Sequence, residues 1–340
     1  MKIIECVPNF SEGNNQVTFD IIKDAINKTG KVKLLNLEPD ADYNRVVVTM
    51  AGDADSILSG TLNACRAAAS LIDMRNHKGG HPRLGAIDVV PFIPVSESSM
   101  EECVQIAETF GNIIAQDLNV PVYLYESAAR RPERKSLSNI RKGEYEGLKE
   151  KLKEPNWQPD FGESYFNPKL GAIITGARFF LVAYNVNINS RDVKFAKEIG
   201  EKLRESGHLK RDAHGEIIKI NGGTEHILGR LKELKAMGVV LDKYNITQVS
   251  MNLTNYNVTP LHTVFEEIKK EAVRLGIGIN GSEIVGLVPL ESMLQAGRFY
   301  TREKEKDEKK LIEAAVENLG LSSLHEFKPE EKIIEYLIRD

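Results

Sequence analysis

Strand-like and helix-like spacings alternate through the first 92 residues in the order βαββαβ, which leaves the chain few architectures to choose from. Ile3 to Val7 is a short apolar run stopped by Pro8, whose ring removes a backbone donor. Val17 to Lys28 sets Val17, Ile21, Ile22, Ala25 and Ile26 at helical intervals and ends near Gly30. Val32 to Leu37 and Tyr43 to Met50 read as strands, the second rich in β-branched residues. Asp55 to Met74 is a long helix, with Ile57, Leu58, Leu62, Ala68, Leu71 and Ile72 toward a core. Ile87 to Phe92 completes the set. This order predicts a split-βαβ, ferredoxin-like α+β unit. A helix over Met100 to Leu118 and a strand over Val120 to Tyr125 extend it.

The second half repeats the scheme. Arg178 to Asn187 reads as a strand, Val193 to Glu205 as a helix and Ile217 to Ile220 as a strand. A helix is expected over Thr224 to Met237, a strand over Thr247 to Leu253 and a helix over Leu261 to Leu275. Ile284-Val285-Gly286-Leu287-Val288-Pro289-Leu290 echoes Val89-Val90-Pro91-Phe92-Ile93-Pro94-Val95. The expectation is a duplicated α+β unit, with chance likeness of short apolar strands as the alternative. Between the halves, Arg130 to Gly171 is basic first (Arg130, Arg131, Arg134, Lys135, Arg141, Lys142) and aromatic and Gly/Pro-rich later, with little periodicity. Such a segment is a functional loop or a linker. Beyond Thr301 the chain is highly charged and ends in a helix-like stretch, Pro329 to Ile338.

A chain of 340 residues suffices for two domains. Its net charge of -4 and pI near 6.1 argue against wholesale nucleic-acid or acidic-membrane binding. The strands Arg45 to Met50 and Ile87 to Phe92 also lack the aromatic pattern of an RNA-binding sheet. Three scattered cysteines, Cys6, Cys65 and Cys103, suit a reducing compartment. The N-terminus is charged too early for a signal peptide, and no apolar run approaches a membrane span. A cytoplasmic location is expected.

One loop concentrates chemistry: His77-Lys78-Gly79-Gly80-His81-Pro82-Arg83-Leu84-Gly85-Ala86-Ile87-Asp88-Val89. Its glycines and proline forbid a regular helix, and a loop on a rigid scaffold is where chemistry is commonly placed. Histidine suits proton transfer near neutral pH. Arg83 could hold an anionic substrate bidentately and Asp88 could orient an imidazole. The plain alternative for His81 is a loop histidine bonded to backbone. His77 and His81 have the i, i+4 spacing of zinc-binding helices, but Lys-Gly-Gly between them removes the helix. Gly276-Ile277-Gly278-Ile279-Asn280-Gly281 matches G-x-G-x-x-G, yet it follows a helix where a dinucleotide site needs a strand, so it reads as a turn. His262 reads as a capping or packing residue, and His208, His214 and His226 carry no pattern. The basic run Arg130 to Lys142 is either a solvated surface or a landing site for a polyanionic small molecule.

The loop also carries a resemblance. Glu5-Cys6-Val7-Pro8-Asn9-Phe10-Ser11-Glu12-Gly13-Asn14-Asn15 and Leu71-Ile72-Asp73-Met74-Arg75-Asn76-His77-Lys78-Gly79-Gly80-His81-Pro82-Arg83 are long, unusual strings. Asn119-Val120-Pro121-Val122-Tyr123-Leu124-Tyr125, Trp157 to Gly162 and Leu261-His262-Thr263-Val264-Phe265-Glu266-Glu267 add to them. Together they resemble the formiminotransferase domain of the formiminotransferase–cyclodeaminase and glutamate formimidoyltransferase family, nearly end to end.

The resemblance implies two ferredoxin-like subdomains with a folate-binding tunnel between them, divided as residues 1–177 and 178–301. A helical tail at 302–340 resembles the family's connector to the cyclodeaminase, with no cyclodeaminase domain expected. It implies transfer of a formimino group from N-formimino-L-glutamate to N5 of tetrahydrofolate, with His81 as catalytic acid and base. It further implies that Gly162, Glu163, Ser164, Tyr165, Phe166, Asn167, Pro168, Lys169, Leu170 and Gly171 line the folate. Tetrahydrofolate would be a co-substrate, no metal would be required, and the protein would be a homodimer. Gly80 departs from the animal members, which have Glu there, so carboxylate help from that position is not implied. Formyl transfer between N-formylglutamate and 5-formyltetrahydrofolate is the close rival, and a non-catalytic ligand-binding module the rival from another class.

Overall fold

A computed structural model describes residues 2–212, 215–220 and 223–339. The chain divides into two units, residues 1–179 and 180–340. Both are mixed α/β.

The first unit opens with β1 (Ile3–Cys6) and β2 (Asn9–Phe10), which pair with the same two neighbours and act as one strand. Pro8 interrupts them without ending the ladder, because its carbonyl accepts from the Val48 amide at 3.0 Å. Then follow α1 (Gln16–Asn27), β3 (Lys33–Asp40), β4 (Arg45–Gly52), α2 (Ala54–Leu71) and β5 (Ile87–Ser96). The strands lie in the order β3, β4, β1/β2, β5, all antiparallel. The extension is α3 (Met100–Leu118), β6 (Val122–Glu126), α4 (Leu137–Arg141), α5 (Glu144–Lys151) and β7 (Ile173–Ala177). β7 inserts between β5 and β6, parallel to both.

Local chemistry explains these boundaries. Asn15 caps α1 through Val17 and Thr18, Asp53 caps α2 through Ser56, and Ser99 with Glu102 forms a capping box on α3. The buried stripe of α1 is Thr18, Phe19, Ile22 and Ile26, whereas Val17 and Ile21, expected on it, are exposed. The packing centres on Phe19, so the stripe is rotated from the one that Val17 would define. The seven residues from Ile87 to Ile93 are all buried, because helices and neighbouring strands cover β5 on every side.

The second unit runs β8 (Val182–Ile188), α6 (Val193–Leu203), and four two-residue strands, β9 (His208–Leu209), β10 (Lys219–Ile220), β11 (Gly223–Thr224) and β12 (His226–Ile227). It continues with β13 (Leu234–Leu241), β14 (Ile246–Leu253), α7 (Leu261–Arg274) and β15 (Ile279–Val285). Its main sheet has the order β13, β14, β8, β15, again antiparallel throughout. Both units therefore set the first strand of βαββαβ between the third and the fourth.

The helix expected over Thr224 to Met237 does not form. All eight residues of β13 pair with β14, and this cross-strand pairing overrides the loose helical spacing of Leu228, Leu231, Leu234 and Met237. The strand expected over Ile217 to Ile220 shrinks to β10, and His214 lies outside the described residues. The echo at Ile284 to Leu290 is offset: β15 ends at Val285, Val288 bridges Ile333, and Pro289 starts α8 (Leu290–Tyr300). The tail forms α9 (Glu308–Leu319), α10 (Pro329–Lys332) and α11 (Ile334–Arg339), broken at Ile333 by that bridge. No described helix is long and apolar enough to cross a membrane.

Candidate active site

His77 to Ala86 lie in the loop that joins α2 to β5, Ile87 to Val89 open β5 itself, and the loop is held by backbone contacts at both ends. The Met74 amide donates to Lys169 O and the Ala86 amide to Leu170 O, both at 2.9 Å. Gly85 and Gly171 form an antiparallel bridge there. A Cβ on Gly171, which has φ +69°, would sit 2.2 Å from Leu84 O, so only glycine lets the two strings meet. The segment Gly162 to Gly171 therefore buttresses the histidine loop. Within it Asn167 Oδ1 accepts from the Lys169 and Leu170 amides, Tyr145 Oη donates to Pro168 O, and the Tyr145 and Phe166 rings lie 5.5 Å apart. Glu163, Ser164 and Tyr165 are exposed.

His77 and His81 do different things. His77 Nε2 contacts Asn44 O at 2.9 Å, so it carries the proton, and Nδ1 accepts from Arg83 Nε at 3.4 Å. Both nitrogens of that ring are engaged, and it acts as a spacer between Asn44 and Arg83. His81 Nε2 faces Arg45 Nη1 at 2.7 Å and must accept, since a guanidinium only donates. Burial, and then the charges of Arg45 and Arg141, push the His81 pKa down to about 4. Its imidazole is neutral at pH 7, with its lone pair already engaged. The Tyr43 ring meets it edge-on at 6.2 Å.

The other expected residues have partners of their own. Arg83 is buried and donates to Glu144 (2.8 Å) and twice to Glu146 (2.9 and 2.6 Å), so its fork is already filled. Asp88 orients no imidazole here. Its carboxylate accepts from the Leu84 amide at 2.9 Å and pairs with Arg141. Burial raises the Asp88 pKa, and Arg141 counters that shift.

The basic run is not a uniform solvated face. Arg134 is fully buried, pairs with Asp160 at 2.7 Å and donates to the Asn156 and Gln158 carbonyls. Its guanidinium lies over the rings of Tyr123 and Trp157. Lys151 Nζ donates to the Ile140 and Lys142 carbonyls at the end of α4. His262 stacks on Phe299 at 4.4 Å, a packing role. Gly276 to Gly281 connects α7 to β15, the reverse of a strand-to-helix turn.

Phe10, Ser11, Tyr43, Asn44, Arg45, His77, His81, Arg83 and Asp88 line one pocket. An open cleft of about 440 Å³ adjoins it, sharing His77 and Arg83 and bounded by Lys78, Gly79, Gly143, Glu144 and Glu146. Arg45 was missed in the sequence. Its signal was a cation opening the otherwise apolar run Val46-Val47-Val48.

A neutral imidazole against a guanidinium with no ion pair among the described residues, on a loop fixed by an α/β scaffold, has the chemistry to take up a proton beside an anionic group. Comparison with known proteins narrows that class. The family model for the formiminotransferase domain, N-terminal subdomain, matches residues 3–178, and that for the formiminotransferase domain matches residues 183–339. The chain belongs to the formiminotransferase family. It is 48 % identical over 342 aligned positions to the formimidoyltransferase-cyclodeaminase of Dictyostelium discoideum, covering 100 % of itself and 61 % of that protein. The rat protein of the same name is also 48 % identical, with 60 % of its length covered, so the chain spans about three-fifths of these relatives. It is 40 % identical to the glutamate formimidoyltransferase of Thermoplasma acidophilum, over 93 % of this chain and 98 % of that one. Its namesake from Streptococcus pyogenes is 39 % identical, with 97 % of its length covered.

Proposed function

We propose that this protein is a glutamate formimidoyltransferase. It moves the formimino group of N-formimino-L-glutamate to N5 of tetrahydrofolate and yields 5-formiminotetrahydrofolate and L-glutamate. The observation that carries this reading is the end-to-end match to a protein named for that single activity, 98 % of which is covered.

The chemistry asks for one group that takes a proton and returns it. N5 attacks the formimino carbon and a tetrahedral intermediate forms. The attacking nitrogen loses its proton to His81, and the imidazolium returns that proton to the glutamate nitrogen as the old C–N bond breaks. A neutral imidazole is the form required at the start, and such transfer contributes ~10²–10⁴-fold. Holding both substrates together supplies up to ~7–11 kcal/mol more of the barrier. Tetrahydrofolate is a co-substrate in this reading. The Gly162–Gly171 segment contributes to a folate tunnel, and its contacts with the histidine loop support placing N5 near His81. The strand order in each unit supports a ferredoxin-like description of both.

The test is turnover of the purified chain with tetrahydrofolate and N-formimino-L-glutamate, with N-formyl-L-glutamate in parallel. Release of glutamate with the formimino donor supports the reading. Turnover with the formyl donor alone transfers the assignment to formyl exchange, and no turnover with either refutes it.

A further inference from the structure

Three arginines stand around His81, and two have carboxylate partners. Arg83 holds Glu144 and Glu146, and Arg141 holds Asp88. Arg45 differs. Among the described residues its guanidinium makes one hydrogen bond, to His81 Nε2, and no ion pair. Its Nε is buried and has no partner. Asp40, directly opposite in the β3–β4 hairpin, accepts from the Tyr43 amide at Oδ1 (2.9 Å) and stays outside ion-pair distance of Arg45. A half-buried cation whose one hydrogen bond goes to a neutral acceptor, with Asp40 and Asp88 acting on it only through space and a donor left dry, lacks a contacting anion that would satisfy it. A carboxylate fits, because its two oxygens match the guanidinium fork.

We propose that Arg45 is the carboxylate receptor for the amino-acid substrate, and that binding draws its guanidinium off His81 Nε2 and frees the imidazole for proton transfer. The proposal rests on the transferase reading above and adds a residue and a sequence of events to it. Without substrate, the Nε2 lone pair is occupied and an unpaired positive charge opposes protonation. A bound carboxylate neutralises Arg45 and returns the lone pair to the pocket. Both changes make His81 a better base at the moment a substrate is present. Arg141, paired to Asp88, and Asp40 face the same ring and act on it whether or not substrate is bound. The Tyr43 ring packs on both partners, 6.2 Å from the His81 ring and 5.9 Å from the Arg45 guanidinium carbon, and flanks the path of the exchange.

The experiment is an NMR titration of the His81 ring protons in the full chain, with no folate present. Wild type, Arg45→Gln and Arg45→Lys are compared, with and without saturating N-formyl-L-glutamate, after circular dichroism shows each variant folded. In wild type the His81 midpoint is expected to rise by one pH unit or more on ligand addition. In Arg45→Gln it starts higher and no longer responds, and the ligand binds at least tenfold more weakly. Arg45→Lys restores part of the response, because a cation is present without the fork. The KM for the amino-acid substrate rises in Arg45→Gln while the KM for tetrahydrofolate stays within twofold. A wild-type midpoint that ignores the ligand overturns the proposal. So does an Arg45→Gln protein with wild-type midpoint and affinity. A ligand-dependent shift in a chain with no transferase turnover would refute the functional reading and leave this one standing, and turnover without the shift would do the reverse.

Discussion

Asp88 pairs with Arg141 across the gap between β5 and α4, and through that pair the histidine loop, the strand behind it and the basic segment are joined. Both partners are largely buried, at 3 % and 14 % exposure of their side chains, so neither can fall back on water. Removing one charge strands the other, a loss that runs to about 3–5 kcal/mol for buried pairs. Asp88→Asn is therefore expected to destabilise strongly, and Arg141→Gln likewise. The double variant should recover a large part of the loss, because an amide pair leaves no lone charge. Urea unfolding of the four proteins gives the coupling energy. Additive losses would show that the pair is not the linkage described.

His81→Ala deletes the imidazole whose Nε2 faces Arg45. Turnover is expected to fall ~10²–10⁴-fold, the usual share of a general acid–base group. If the Gly162–Gly171 segment binds folate as proposed, folate affinity should change less than threefold, since the segment is held by backbone contacts with Met74, Gly85 and Ala86 that the variant keeps. The corresponding His77→Ala change is different in kind. It removes a spacer between Asn44 and Arg83, and it should lower stability more than it lowers kcat. Steady-state rates and equilibrium binding on the same preparations separate the two histidines. Equal rate losses for both would refute the division of labour.

Much of this site was legible in the chain because its parts are local. The loop from His77 to Asp88 announces itself by composition, and its glycines and proline place it between a helix and a strand. The alternation βαββαβ was readable because α2 carries helical spacing behind its Asp53 cap and β4 alternates between inward and outward residues from Arg45 to Met50. What escaped was set by partners distant in sequence. Arg45 is 36 residues from His81, and no local pattern says that the β3–β4 hairpin delivers it there. Arg83 and Asp88 sit beside the histidine in the chain, yet Glu146 and Arg141 claim them from more than fifty residues away. The helix expected at Thr224 to Met237 failed for the same reason, because β14 offered Leu234 to Leu241 a full ladder.

Stability should depend on pH through His81 in a definite direction. Its pKa in the folded protein, about 4, lies below the 6.5 of the unconstrained side chain. Between those values the unfolded chain binds more protons, so unfolding is favoured as pH falls. The contribution is complete above about pH 6.5, declines through the window and is lost by about pH 4. Burial likewise lowers the His262 pKa, and that term acts in the same sense. His81→Gln is expected to flatten the acid side of a plot of melting temperature against pH, leaving the His262 share in place. Melts at half-unit steps from pH 4.5 to 7.5 would show it, and parallel curves for wild type and variant would contradict it.

Neighbouring glycines in the loop should answer oppositely to the same change. A Cβ on Gly79 would lie 2.4 Å from Tyr43 O and 2.8 Å from Asn44 Cβ. The backbone of the β3–β4 hairpin cannot yield that distance without moving Asn44, whose side chain also ties the Gly13 amide and Lys78 O. A Cβ on Gly80 meets nothing nearer than Tyr43 Cδ1 at 3.6 Å, and its φ lies outside the left-handed region. Gly79→Ala is expected to cost 1–3 kcal/mol, the ordinary range for forced overpacking, and to displace Arg45 from His81. Gly80→Ala should be neutral or stabilising by ~0.4–1 kcal/mol, because it restricts only the unfolded chain. Thermal melts on the two variants decide the matter. A tolerated Gly79→Ala alongside a damaging Gly80→Ala would mean that the hairpin and the loop do not meet as described.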